Sequence, residues 1–231
     1  MNAPTGIVDD QTSLVRALIG LTVVTGLVDA ISFLGLGHIF TANMTGNVVF
    51  LGFAAGGAPG IAAARSIAAL CAFAGGSVCG GRLISSRERT AVAHMLIATY
   101  VETALLLTAA SAATLAKTDV SAATAYFVVL STALAMGLRN AVVRKLAVPD
   151  LTTTVLTMTI TGLAADSSLA GGHGGRTARR ALSILAMFAG ALAGANLLRT
   201  FGLAASLMVA ALMIAGLSFY LRQHARPTLA T

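Results

Sequence analysis

Tryptophan is absent from this chain, and only 10% of its residues are charged, against about a quarter in an ordinary water-soluble domain. So little charge excludes a soluble globular fold and a disordered solvated tail alike. Cysteine occurs twice, which excludes a disulfide framework. Cys71 and Cys79 lie eight apart in one apolar run, too far along a straight helix to bridge, and no CxxC or Cys/His ligand pattern accompanies them. They read as small packing residues. The chain also lacks HExxH, GxSxG and any Cys/His cluster, so no catalytic residue, metal or cofactor is expected and the chain does not read as an enzyme.

What is present is apolar. Residues of the AVILMFWYC class make up 57%, and the mean hydropathy is +0.87. This composition belongs to an all-α integral membrane protein whose first partner is the lipid bilayer. With 24 glycines and abundant alanine, its helices are expected to approach closely through small residues, and the same faces make a homodimer plausible. The net charge of +7 comes from basic residues in short loops between apolar runs, which speaks for membrane orientation rather than a nucleic-acid partner. The polar N-terminal dozen, with Asp9 and Asp10, has no basic region or cleavage site of a signal peptide, so the first apolar run is expected to stay in the mature protein.

Runs of roughly 20 apolar residues fall at 14–36, 61–83, 91–116, 122–146, 181–198 and 203–221. Two shorter segments, 41–55 and 151–165, are rich in Thr, Asn or Gly. They are either re-entrant, giving six transmembrane helices, or spans, giving seven or eight. Charge discriminates between these, because cytoplasmic loops are enriched in Lys and Arg. With both segments re-entrant, the basic residues divide 11 against 3 in favour of the side holding the N-terminus, with Arg139 left inside a helix. With both crossing, the division is 8 against 6, which orients nothing. The expectation is therefore six helices plus two short re-entrant or broken segments, in a bacterial inner membrane, with both termini cytoplasmic.

An internal repeat points the same way. Gly26-Leu27-Val28-Asp29-Ala30 recurs as Gly137-Leu138-Arg139-Asn140-Ala141 at an offset of 111, and Thr41 to Asn47 matches Thr153 to Thr159 at 112. Phe73-Ala74-Gly75 then recurs as Phe188-Ala189-Gly190 at 115. Within a single membrane domain over 1–231, this gives halves at 14–117 and 120–222. Three crossings per half would invert the second half relative to the first, and inverted repeats around broken helices form solute sites where the halves meet.

Ionisable residues inside apolar runs mark candidate pathways. Asp29 and Glu102 each lie within a span, without a basic residue one turn away, and Arg139 is a partner for either. Asn140 is the repeat counterpart of Asp29. Asn43, Thr45 and Asn47 in the first polar break, with Thr153, Thr154, Thr157 and Thr159 in the second, supply uncharged donors and acceptors. Thr can also satisfy itself by bonding back to its own helix. If helices follow these breaks, their positive N-terminal ends converge at mid-depth and favour a polar or anionic solute, with the acids as proton carriers. Asn196 and Asp166 are secondary, and His38, His94 and His173 read as solvated residues in or near loops.

The stretches GLVDAISFLGLGHIFTANMTGNVVFLG and GLRNAVVRKLAVPDLTTTVLTMTITGLAAD resemble the two signature stretches of the YoaK-like family, uncharacterised multi-pass bacterial membrane proteins labelled as predicted small-molecule transporters. The resemblance runs over nearly the whole chain. It departs from the family at Met158, where the usual pattern is TGT. It implies a bacterial inner-membrane location and no particular substrate. The function expected is transport of a small polar or anionic solute, coupled to protons through the acids. The alternatives are a membrane-embedded structural or regulatory protein and, after that, an intramembrane enzyme.

Overall fold

A computed structural model of the chain describes residues 5–61, 63–85, 90–116, 121–146, 153, 156–172 and 177–224, with side chains from residue 12 onward. The regular elements among them are α1 (Thr5–Gly35), α2 (Met44–Ala55), α3 (Ala63–Leu83), α4 (Ala91–Leu115), α5 (Ala122–Leu146), α6 (Leu156–Ala165), a short 3-10 turn at Ser168–Ala170 and α7 (Thr177–His224). A helix pairs its own N–H and C=O groups, which is what an apolar chain needs where lipid offers no partner. Five of these helices, α1, α3, α4, α5 and α7, are long and apolar enough to cross a membrane.

α7 has 48 residues, and at the helical rise it measures about 72 Å, more than twice the hydrocarbon thickness. It breaks at Gly202, whose φ of 77° and ψ of −177° belong to a region that only a residue without Cβ enters readily. Two limbs result, 177–201 and 203–224, matching the separate runs expected at 181–198 and 203–221. α2 and α6, with 12 and 10 residues, reach only about 18 and 15 Å. Neither is long enough to cross a hydrocarbon layer of about 30 Å.

Glycines set the close crossings. On α7, Gly190 lies against the Val23 carbonyl of α1 and Gly194 against Leu27, while Gly26 of α1 lies against the Met187 carbonyl. On α3, Gly76 lies against the Leu134 carbonyl of α5 and Gly80 against Leu138, while Gly137 of α5 lies against the Phe73 carbonyl. A Cβ at any of these glycines would collide with backbone. The two sets correspond: the α1 and α5 members are each 111 apart, and the α3 and α7 members are each 114 apart. The packing thus pairs Gly190 with Gly76 and shifts the expected 115 offset by one residue, since backbone approach and not sequence likeness sets the register. In each pair, contacts advance in the same direction along both helices, so α1 runs parallel to the first limb of α7 and α3 runs parallel to α5.

α1 and α5 are the central helices, with 67% of the most apolar window of each buried, against 28% for α3. The GxxxG glycines are used in these crossings inside the chain. Cys71 and Cys79 are exposed on α3 rather than packed. The buried positions of that helix are Ser66, Ala69, Gly76 and Gly80, a different stripe, and a thiol is apolar enough to face lipid.

Candidate functional site

α1 carries a buried polar stripe of Thr22, Thr25, Asp29 and Ser32, spaced as one helix face requires. Thr22 and Thr25 donate back to the Leu18 and Leu21 carbonyls at 2.9 Å, and Ser32 donates to the Asp29 carbonyl at 3.1 Å. Those bonds leave the Asp29 carboxylate to find partners elsewhere. Gly37 (φ 90°) and His38 (φ 58°) turn the chain after α1, and the returning loop presents the N–H groups of Thr41 and Ala42 to Asp29 Oδ1 at 3.2 and 2.9 Å. A carboxylate that is 8% exposed is held here by backbone donors, the kind of compensation that burial of charge demands.

The same loop is gripped from the other side. Asn47, fully buried in the first turn of α2, accepts from the Phe40 N–H at 2.9 Å and donates to the Phe40 carbonyl at 2.6 Å. Its side-chain amide thereby stands in for a strand partner, pairing both backbone groups of one residue. Beyond α2, Arg65 at the start of α3 donates to the Leu36 carbonyl at 2.8 Å. The start of α3 is therefore tied to the end of α1.

Between these elements lies a cavity of about 790 Å³. One wall is α1, with Asp29 and Ala30; another is α7, with Met187, Ala191 and Ala195. Asn43, Thr45 and Gly46 from the start of α2 meet Leu156 and Thr157 from the start of α6 in the same space. Asn43 makes no side-chain cap hydrogen bond to α2. Phe33, Phe40 and Phe50 complete the lining as a stack, with Phe40 at 5.0 Å from Phe33 and 5.9 Å from Phe50. Asp29 is the one ionisable side chain among these lining residues.

Of the residues singled out from sequence, Asp29, Asn43, Thr45 and Thr157 line this cavity. Asn47, Thr153 and Thr159 are buried but are not among its walls. The two breaks nevertheless share a burial pattern at the 112 offset: Thr41 and Thr153 are buried, Thr45 and Thr157 exposed, Asn47 and Thr159 buried. Thr154 lies outside the described residues, as does His173. Met158, the departure from the family pattern, points outward at 71% exposure. Glu102 is away from the cavity, fully buried and paired at 2.7 Å with Arg139, which also donates to Thr25 Oγ1 at 2.5 Å. Asn140 is half-buried on α5 beside Arg139.

The secondary candidates separate as well. Asn196 is exposed and donates back to the Leu192 carbonyl at 2.8 Å. Asp166 pairs with Arg180 at 2.7 Å, an exposed link between the end of α6 and the start of α7. His94 is buried, not solvated as expected, with Nδ1 at 3.0 Å from the Thr90 carbonyl. Among the described residues no three His, Cys, Asp or Glu side chains gather as metal ligands. Sequence reasoning missed the phenylalanine wall and Thr25. The signal for Thr25 was present, since Thr22, Thr25, Asp29 and Ser32 follow a three-four-three spacing.

A multi-pass helical membrane protein with a largely apolar cavity between its helices, into which one acid and a few uncharged polar side chains project, is the class these features define. The chain belongs to the family described as protein of unknown function (DUF1275), which matches residues 17–220. It is similar to the UPF0700 transmembrane protein YoaK of Bacillus subtilis (strain 168), with 30% identity over 148 residues, 64% of this chain and 64% of that protein. The match thus spans a little under two thirds of the relative's own length. No solved structure matches the chain.

Proposed function

We propose that the chain moves a small polar solute across the bacterial inner membrane through the cavity bounded by α1, α2, α6 and α7, without acting as an enzyme. The observation that carries this reading is that first-turn residues of two helices too short to cross the bilayer share one cavity of about 790 Å³ with Asp29. Irregular backbone and an acid at membrane depth are tolerated where they line a cavity, and half-helix ends aimed at such a space serve solute binding.

The reading takes six crossings, with the last two being the limbs of α7, and α2 and α6 as re-entrant. The Arg65 bond to the Leu36 carbonyl supports this, because a crossing α2 would carry the start of α3 to the far face. With α3 starting where α1 ends, the parallel pair α3 with α5 makes α1 and α5 run in opposite directions, which supports an inverted repeat. The charge division of 11 against 3 supports cytoplasmic termini. Any coupling of solute to protons runs through Asp29, the cavity's one titratable lining residue.

A structural or regulatory role draws on a different observation: Asp29 and Asn47 both spend hydrogen bonds on the loop between α1 and α2. Liposomes separate the two readings. Proteoliposomes and empty liposomes are incubated with a cell metabolite extract, and their contents are compared by mass spectrometry. Transport predicts polar metabolites that enter with the wild type and not with Ala195→Leu, which adds bulk to the α7 wall of the cavity. Identical contents in all three would leave the structural role standing.

A further inference from the structure

The cavity's charges are of both signs and sit on different walls. On α1, Asp29 supplies a carboxylate whose Oδ1 accepts from the Thr41 and Ala42 N–H groups, with the Asn43 N–H also directed at it. A carboxylate has lone pairs for more than these, so the second oxygen can take a further donor. Opposite in sign are the first turns of α2 and α6, represented in the lining by Thr45, Gly46 and Thr157. Each helix N-terminus is worth about half a positive elementary charge, carried on N–H groups that have no partner within the helix. One carboxylate and two helix ends therefore sum to about zero.

A simple anion in this space meets Asp29, and a simple cation meets two helix ends. A molecule that carries both charges satisfies both walls. Phe33, Phe40 and Phe50 add a surface against which an apolar body packs, and ring faces also favour an ammonium beside them. The volume, about 790 Å³, lies within the range of about 300–1,000 Å³ that holds small organic ligands.

We infer that the cavity takes a small zwitterion with an apolar body, of the amino-acid class, its ammonium toward Asp29 and its carboxylate toward the first turns of α2 and α6. The inference rests on the reading of this cavity as a solute site. It narrows the solute from polar or anionic to one that is neutral overall and charged at both ends.

The test uses the full chain purified in detergent, with the midpoint of thermal unfolding measured against the proteinogenic L-amino acids. Each amino acid that raises the midpoint is compared with its amide, which keeps the ammonium alone, and its N-acetyl derivative, which keeps the carboxylate alone. The expected result is saturable stabilisation by at least one apolar amino acid, roughly tenfold tighter than by either derivative. In Asp29→Asn, affinity for that amino acid falls roughly tenfold while the N-acetyl derivative binds as well or better. Asn retains an acceptor oxygen for the Thr41 and Ala42 N–H groups, so the loop keeps its anchor. Should Asp29→Asn fail to fold, Ala195→Leu serves instead, and it removes the amino-acid shift by bulk. No stabilisation by any amino acid, or equal binding of a derivative with a single charge, overturns the inference. Amino-acid binding with no uptake into liposomes overturns transport and leaves the zwitterion site; uptake of a singly charged solute blocked by Ala195→Leu does the reverse.

Discussion

Arg139 on α5 and Glu102 on α4 meet at 2.7 Å with both side chains fully buried. Arg139 also reaches Thr25 on α1, so one guanidinium joins three helices. Thr25 lies one turn from Asp29 on α1, which sets this ion pair next to the stripe that leads to the cavity. The pair itself is incompletely satisfied, because Glu102 Oε2 and Arg139 Nε have no hydrogen-bond partner among the described residues. It fixes the arrangement of helices more than it adds stability, since desolvation offsets much of the Coulomb attraction between buried charges.

Removing one partner is a different matter. Arg139→Met leaves Glu102 buried without its partner, and the expected loss is about 3–5 kcal/mol. Arg139→Met combined with Glu102→Met removes both charges and is expected to recover most of that loss. Thermal unfolding of wild type and the two variants in detergent checks this, and an Arg139→Met protein as stable as wild type would contradict the arrangement.

The glycine crossings predict a sharp contrast between positions. Gly76→Ala and Gly190→Ala each drive a Cβ into a facing carbonyl, so both should lower the yield of folded protein and the unfolding midpoint. Gly52→Ala and Gly216→Ala meet nothing within 4 Å, and in a helix interior they are expected to be neutral or stabilising by about 0.5–1 kcal/mol. Equal effects at all four sites would mean that these crossings are not where the helices touch.

Much of this was legible from residue type and spacing alone. Hydropathy placed the long helices, because lipid requires about 20 apolar residues wherever a helix crosses. The 111 offset between Gly26 and Gly137 anticipated a packing correspondence that the carbonyl contacts reproduce. What could not be read was which polar residues face each other across helices. Asn47 and Thr45 are two residues apart in one polar break, yet one clamps the Phe40 backbone and the other lines the cavity. That difference follows from the 100° step around a helix and from where the loop returns, neither of which leaves a compositional trace. Glu102 and Asp29 looked alike as intramembrane acids, and only the placement of Arg139 separates them.

The clamp on Phe40 makes its own prediction. Asn47→Leu keeps bulk but leaves the Phe40 N–H and C=O without their partner, and each such buried backbone group costs about 1–3 kcal/mol. Asn47→Asp retains an acceptor for the N–H yet sets a carboxylate oxygen against the Phe40 carbonyl, so it should be no better than Leu. Amide hydrogen exchange across residues 36–47 is expected to quicken in both variants, while α4 and α5 exchange as in the wild type. Unchanged protection of this loop would remove Asn47 from its role.

The path of α2 decides whether the two short helices can share a cavity at membrane depth, and labelling tests it directly. With Cys71 and Cys79 replaced by Ser, a single cysteine is introduced at Ala58, exposed just after α2, or at Gln223, exposed at the end of α7. A membrane-impermeant maleimide applied to intact spheroplasts is expected to label Ala58→Cys and to reach Gln223→Cys only after permeabilisation. The reason is the hydrogen bond from Arg65 to the Leu36 carbonyl, which holds the start of α3 to the end of α1. If α2 crossed, Ala58 would return to the side of the N-terminus, that bond would have to span the bilayer, and Ala58→Cys would be protected until permeabilisation.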